Sequence, residues 1–322
     1  MAFRFATVPY YGVQAEMHAL DMREAIRGEL ARRPDIVTVE HDFAVRLGDY
    51  VGPGIPKVLM THNFTSGYYA TRAKSTSGMR RILLSIEARR VASYVNRRLS
   101  RFAAIVTVSD EDERLFRAIT DVPVFVVPNG TALDPVRPDP PTGPPQLLFT
   151  GTMGYAPNRE GILWFVSEIW PEILRDTPEA RLLVVGRRPD AQIQRLARDD
   201  ARIEVTGEVP EMGPYFERAT AVVVPLRSGG GTRLKILDAF AFGRPVVSTS
   251  IGAQGIEVQH GEQLLLGDEP SEFAKQVARL LKDSNLRSSL SASGRRLIEK
   301  RYHWQIIAEQ YLGALATVVE GT

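Results

Sequence analysis

The chain has 322 residues, 44% of them hydrophobic and 24% charged, and no cysteine. The missing thiols exclude disulfides, thiolate zinc sites, cysteine nucleophiles and cysteine-ligated iron–sulfur clusters. A net charge of +2 is too balanced for bulk nucleic-acid binding, so no nucleic-acid partner is expected. At about 150 residues per domain the length predicts two domains. No run of 18 apolar residues marks a membrane span. The start, Met1-Ala-Phe-Arg-Phe-Ala-Thr-Val-Pro, lacks a basic head followed by a long apolar core, so no signal peptide and a cytoplasmic location are expected.

In chain order, Gln14–Ala31 has helical periodicity. Short β-branched runs at Ile36–Glu40, Lys57–Thr61, Ala104–Val108 and Val124–Val127 predict strands, with helices at Met79–Phe102 and Asp110–Ile119 between them. Five prolines in Arg137–Gln146 predict a stiff extended linker. Beyond it, strands are predicted at Leu147–Thr150, Arg181–Val185, Arg202–Thr206, Ala221–Val224 and Pro245–Ser248. They alternate with helices at Arg159–Leu174, Ala191–Ala197, Arg233–Phe242, Ser271–Leu281, Leu286–Ile298 and Trp304–Val319. Strand–helix alternation with nearly unbroken apolar strands predicts α/β architecture: two doubly wound, parallel-sheet Rossmann-like domains facing across a cleft. The expected division is 1–136, a linker at 137–146, a second domain at 147–301, and a C-terminal segment at 302–322 that packs back on the first domain. Ligands in such folds bind beyond the carboxyl ends of the strands.

The strongest local signal runs from Pro225 to Gly243. Three glycines, Gly229, Gly230 and Gly231, follow an apolar strand, and then Thr232, Arg233 and Lys235 open an amphipathic helix. Glycines let a backbone approach a ligand closely, and a helix start with two cations suits phosphate. Lys235 and Asp238 share a helix face, one suited to a phosphate and the other to ribose hydroxyls. A second glycine loop, Gly151 to Gly154, follows the first strand of the second half, with Asn158 as its expected helix N-cap. Asp110-Glu-Asp112 follows Ser109 and reads as a capped helix start rather than a metal site. The five histidines show no metal-ligand spacing, and no metal is expected. Arg72 to Arg101 carries nine basic residues and one acid, Glu87, with Ile82, Leu83, Leu84, Ile86, Val91, Tyr94, Val95 and Leu99 between them. A basic amphipathic helix of this kind suits a peripheral contact with an anionic membrane.

Several segments resemble glycosyltransferase family 4: Phe149-Thr-Gly-Thr-Met-x-Tyr-x-Pro-Asn, Trp170-Pro, Gly186, Gly207-x-Val-Pro-x-Met, Gly-Gly-Gly-Thr-Arg-Leu-Lys, Pro245-Val-Val-Ser-Thr, Gly252-Ala-x-Gly255 and Tyr302-x-Trp304. In the first half, Val108-Ser-Asp-Glu-Asp and Val127-Pro-Asn-Gly130 resemble the same family. The resemblance implies a GT-B fold and a retaining, metal-independent, hexosyltransferase-type glycosyltransferase. Such an enzyme moves a sugar from a nucleotide-diphosphate sugar to a glycan or lipid-linked acceptor in envelope or exopolysaccharide biosynthesis, with no cofactor.

The family's usual pair of glutamates, with seven residues between them, is altered here. Asp238 stands at the second position and is the implied ribose ligand, while Gly230 stands at the first. Thr152 follows Gly151 where many members have Arg, so the diphosphate falls to Arg233 and Lys235, with Arg227 a further candidate. The backbone near Val209 is the implied base contact. His62, in Met60-Thr-His-Asn63, resembles the histidine that faces the donor sugar or its phosphate. Glu40, His41 and Asp42 close a neighbouring strand as candidate acceptor contacts. The donor-binding set is thus Gly151, Thr152, Val209, Gly230, Gly231, Thr232, Arg233, Lys235 and Asp238, with His62, Arg233 and Lys235 as the catalytic candidates. By the same resemblance Asp35–Glu40 falls in the middle of the family's first domain. That implies a shortened N-terminal domain without the opening strand and glycine loop, and a small first sheet of about four strands. Two other readings follow from these departures: a non-catalytic nucleotide-binding remnant, and a nucleotide-sugar epimerase of the same fold.

Overall fold

The computed structural model describes residues 22–62, 64–74, 76–133, 143–229 and 232–321. The start of the expected first helix, most of the Pro-rich linker, and both Gly230 and Gly231 lie outside the described residues. The described residues divide between one unit within Met1–Pro128, Gly230–Thr232 and Ile307–Thr322, and another within Asn129–Gly229 and Arg233–Ile306.

In the first unit a helix over 22–30 (α1) precedes β1 (Val37–Glu40), a 3-10 segment (Asp42–Tyr50) and β2 (Lys57–Thr61). Helices α2 (Thr65–Lys74) and α3 (Gly78–Leu99), β3 (Ala104–Thr107), α4 (Asp110–Arg117) and β4 (Val124–Val126) follow. Among the described residues of this unit four strands are parallel in the order β1-β2-β3-β4. Alternate residues face opposite sides of a strand. Leu59 and Ile105 therefore join Tyr94, Val95, Leu99 and Phe116 in one core. Val58, Ala104 and Val106 meet Ile307 and Val318 of the C-terminal helix in another. Burial on both faces is why these strands read as unbroken apolar runs.

Helix α2 was not expected, because Gly67, Thr65 and Thr71 weaken its local helical signal. Its start is anchored from a distance: the Asp42 carboxylate accepts the Thr65 N–H at 2.7 Å and the Thr65 hydroxyl as well. Asp42 is 1% exposed, so it anchors a helix and is not an acceptor contact. Burial pushes its carboxyl up to about 6, against the hydrogen bonds from Thr65. Ser109 caps α4 by accepting the Asp112 N–H at 3.2 Å, and its hydroxyl donates to the Asp112 carboxylate at 2.9 Å. The same carboxylate accepts the Phe64 N–H at 3.2 Å.

The apolar residues of α3 divide along its length. Ala88, Val91, Tyr94, Val95 and Leu99 are buried. Met79, Ile82, Leu83 and Ile86, one stripe at i, i+3, i+4 and i+7, are 70%, 54%, 60% and 47% exposed. Leu84 is partly buried against the core.

The second unit holds β5 (Gln146–Thr150), α5 (Ala156–Trp164), a π-turn (Phe165–Ile169), α6 (Trp170–Asp176), β6 (Arg181–Val185), α7 (Ala191–Asp199) and β7 (Ile203–Gly207). It continues with α8 (Gly213–Arg218), β8 (Ala221–Val224), α9 (Leu234–Ala241), β9 (Val246–Ser248), β10 (Leu265–Leu266), α10 (Pro270–Lys282) and α11 (Ser284–Leu297). The chain ends in α12 (Trp304–Glu320). The expected single helix Arg159–Leu174 is interrupted, because Pro171 has no N–H and its ring crowds the carbonyl four residues back. Short α8 and two-residue β10 had no periodicity to reveal them.

All six strands are parallel, in the order β10-β9-β8-β5-β6-β7. The chain runs one way through β5, β6 and β7, then returns to lay β8, β9 and β10 on the other side of β5. The direction therefore reverses between β5 and β8, the switch point where open α/β sheets bind ligands.

Candidate functional site

Two loops leave that switch point, one after β5 and one after β8. The first turns at Gly151, whose φ is +153°. A Cβ there would lie 2.6 Å from the Asn158 side-chain nitrogen and 3.1 Å from Lys235 Nζ. Gly186, after β6, comes closer still: a Cβ would lie 1.8 Å from the Gly151 carbonyl oxygen. Gly151 N–H donates to Val185 O at 3.0 Å, and Gly186 N–H donates to Gly207 O at 3.0 Å. Side-chain-free backbone is therefore required where β5 and β6 end.

Asn158 is not the cap the sequence suggested. Tyr155 takes that position on α5, and Asn158 lies within the first turn, 7% exposed. Its amide donates to Thr152 O at 3.0 Å, and its oxygen accepts from Lys235 Nζ at 2.7 Å. Lys235 also donates to Thr150 O at 2.7 Å and stands 4.6 Å from the centre of the Phe149 ring, a cation–π distance. The Lys235 side chain keeps some surface, but its ammonium is desolvated. That burial, with the neighbouring Arg233 charge adding to it, pushes the Lys235 pKa down to about 7. Both hydrogen-bond partners of this ammonium are neutral oxygens.

Arg233 occupies the N-cap position of α9 and is 5% exposed; one guanidinium nitrogen donates to Ile251 O at 3.2 Å. Asp238, one turn beyond Lys235, accepts the Thr131 hydroxyl at 3.1 Å. Thr131 is held in turn between Tyr302 O and Trp304 N–H, at 2.8 and 3.2 Å. Val209 packs, partly buried, on the core beside α8 and α9. Arg227 stacks its guanidinium over Trp164 at 5.2 Å. Thr232 groups with the first unit, where its hydroxyl donates to Val108 O at 3.0 Å.

The second unit thus brings together Gly151, Thr152, Arg233, Lys235 and Asp238 of the expected set. Sequence reasoning missed Asn158 as the partner of Lys235 and Thr131 as the partner of Asp238. Asn158 stood within a quoted motif, whereas Thr131 lies 107 positions from Asp238 and carried no local signal.

In the first unit His62 follows β2 and His41 follows β1. Glu40 pairs in register with Met60, and His41 N–H donates to Met60 O at 2.7 Å. The two imidazoles lie 5.1 Å apart, tilted by 53°, and Phe43 stacks on His41 at 5.0 Å. Burial and the adjacent His62 lower the His41 pKa, with Glu40 acting the other way.

Residues 144–283 match the family described as glycosyl transferases group 1. A D-inositol 3-phosphate glycosyltransferase of Frankia alni is 31% identical over 199 residues, 52% of this chain and 47% of that protein. The chain spans about half the length of the curated relatives it matches. Among solved structures, sucrose-phosphate synthase from Thermosynechococcus elongatus superposes with a TM-score of 0.72 at 19% identity, over 94% of this chain and 78% of that one. Anabaena HepE in complex with UDP and glucose gives a TM-score of 0.70 at 14% identity, over 91% and 80%. Two parallel α/β units and these neighbours establish the GT-B fold, and within it residues 144–283 are similar to the group 1 glycosyl transferases.

Proposed function

We propose that the chain is a retaining glycosyltransferase that moves a hexose from a nucleotide-diphosphate sugar to a glycan or lipid-linked acceptor in envelope or exopolysaccharide synthesis. The observation that carries this reading is Lys235, whose desolvated ammonium joins the loops after β5 and β8 through Thr150 and Asn158 beside a second cation, Arg233. Two adjacent cations in a desolvated place are costly until an anion compensates them. Breaking the bond to the donor sugar puts charge on the leaving diphosphate, and preorganised donors stabilise it. Asp238 is assigned the ribose hydroxyls and backbone near Val209 the base. His62 keeps the donor-facing role implied by its motif. No residue is assigned as a nucleophile, and the chemistry needs no metal or cofactor. The UDP and glucose complex of HepE and the sugar-transfer names of the relatives support a nucleotide-sugar donor.

The reading includes a peripheral, inner-face membrane contact through Arg72–Arg101. No helix among the described residues is long and apolar enough to cross a membrane. The exposed stripe Met79, Ile82, Leu83 and Ile86 lies among Arg80, Arg81 and Arg89, which make no ion pair among the described residues. Apolar side chains flanked by cations match the chemistry of an anionic bilayer surface, where a lipid-linked acceptor would be presented.

A thermal-shift screen of the full chain with UDP, GDP, ADP and TDP sugars tests the donor. One sugar nucleotide should stabilise the protein, and Lys235→Ala should abolish the shift. Turnover with acceptor after exhaustive chelation then tests transfer without a metal. Binding without turnover on any acceptor would leave a nucleotide-binding protein; conversion of the donor sugar without acceptor would mark an epimerase. No nucleotide binding would overturn the proposal.

A further inference from the structure

The C-terminal ends of β1 and β2 hold a second group of chemistry-bearing side chains. Glu40, His41 and His62 each direct one ligand atom into a common space, with all three atoms within 4.8 Å of one another. Sequence spacing could not show this group, because adjacent parallel strands bring together residues that lie 21 positions apart. Ligands on one zinc-sized ion lie about 3.3 Å apart when each bond is about 2.0–2.1 Å, so modest side-chain rotations would close the set.

An independent observation lies in the backbone. His41 has φ +70° and ψ 137°, a left-handed-side conformation that costs a non-glycine residue about 1–3 kcal/mol and that clusters at functional sites. The imidazole lies 5.1 Å from that of His62, and Phe43 stacks on it at 5.0 Å, nearly parallel. Adjacent imidazoles repel when both are protonated, but their lone pairs and one carboxylate oxygen suit a shared cation.

We propose that Glu40, His41 and His62 bind a borderline divalent transition ion of the zinc class, with one coordination position left open. Two imidazoles and one carboxylate favour zinc, cobalt or nickel over magnesium or calcium, which take oxygen-rich sites. The ion serves no step of the proposed transfer. Its occupancy would hold His62 away from a donor sugar, a consequence that rests on the proposed transferase reading. Ion binding itself is independent of that reading and is measured separately.

The test uses the full chain freed of metal and titrated with cobalt(II), whose visible absorption reports a low-coordinate nitrogen and oxygen site, followed by displacement with zinc. The expected result is one ion per chain, displaced by zinc and not by magnesium. Glu40→Gln and His41→Ala should each weaken binding by about tenfold or more, at least the loss seen for residues that merely support a ligand. His41→Gly serves as the second variant, since glycine adopts a positive φ with an extended ψ without strain and keeps the chain folded while removing the imidazole. His260→Ala, in the second unit, should bind as wild type does. Absence of the visible band, unchanged affinity in both His41 variants, or loss of binding in His260→Ala would overturn the proposal. If zinc binds as described but leaves turnover unaffected, the site stands and the role of His62 in transfer falls.

Discussion

Lys235 donates to the side-chain oxygen of Asn158 at 2.7 Å, tying the helix that follows β8 to the helix that follows β5. Asn158 in turn grips Thr152 O at 3.0 Å. One asparagine therefore shapes the first glycine loop and positions the cation of the second. Both lie on the second unit, at the point where its sheet changes direction.

Lys235→Met tests the energetics of this arrangement in the free protein. Folded Lys235 titrates at about 7 and the unfolded residue at about 10.4. Between these values the unfolded chain holds the additional proton, so wild-type stability rises with pH relative to the variant. Loss of the bonds to Thr150 and Asn158 is a nearly constant offset. The difference in Tm, variant minus wild type, should be flat below pH 7 and fall steadily from pH 7 to 9.5. A pH-independent difference would show that the ammonium is not desolvated.

The same ammonium should take up a proton when a nucleoside diphosphate binds. A nearby phosphate favours its charged form, raising the lowered pKa towards its ordinary value. Calorimetry at pH 8 in two buffers of different ionisation enthalpy should show proton uptake with wild type and lose it with Lys235→Met. In turnover, removal of one such donor should cost about 2.7–4 kcal/mol in the barrier, or 10²–10³ in kcat.

Gly186→Ala should be far more damaging than an ordinary glycine replacement. A Cβ at this position would stand 1.8 Å from the Gly151 carbonyl oxygen, an obstacle of rigid backbone, and φ there is +150°. Either the loop after β5 moves or the second unit does not fold. Chemical denaturation should show a loss larger than the roughly 1 kcal/mol typical of single substitutions. Gly207→Ala also meets a positive φ, of +76°, but no atom within 4 Å, so it should be the milder variant.

The second unit was legible because its strands are buried on both faces and its glycine loops follow them directly, as at Thr150–Gly151 and Val185–Gly186. Periodicity located those elements to within a few residues. It could not find α2, whose start depends on Asp42, 23 positions away. Nor could it pair Thr131 with Asp238, or bring Glu40 and His41 to His62, since strand order and crossovers create those neighbours. Asn158 shows a subtler limit: asparagine at a helix start suggests capping, but the buried lysine from another loop claims its side chain.

Asp42→Asn should stabilise the first unit at neutral pH. The Asp42 carboxyl titrates at about 6 in the folded chain and at about 3.9 when unfolded. Wild type therefore loses stability as pH rises from about 4 to 6, whereas asparagine retains an acceptor for the Thr65 N–H without the buried charge. A shift of this size corresponds to on the order of 3 kcal/mol at 1.36 kcal/mol per pKa unit, an upper bound on the gain. Melting curves should show the variant ahead at pH 7.5 and level with wild type at pH 4. An equal difference at both values would contradict the buried carboxylate.

The exposed stripe on α3 makes a separate prediction about membranes. Met79, Ile82, Leu83 and Ile86 leave their apolar surface uncovered while Ala88, Val91, Tyr94, Val95 and Leu99 of the second half are buried. Replacing Ile82 and Leu83 together with aspartate should leave the fold intact, because neither belongs to the core. It would abolish flotation with anionic vesicles at low salt. Replacing Arg80, Arg81 and Arg89 with glutamine should weaken flotation by about 1 kcal/mol per lost charge near the surface, and added salt should mimic this loss by screening. Binding to neutral and anionic vesicles alike would mean that the cations do not contribute. An unchanged Tm with lost flotation assigns the stripe to the bilayer.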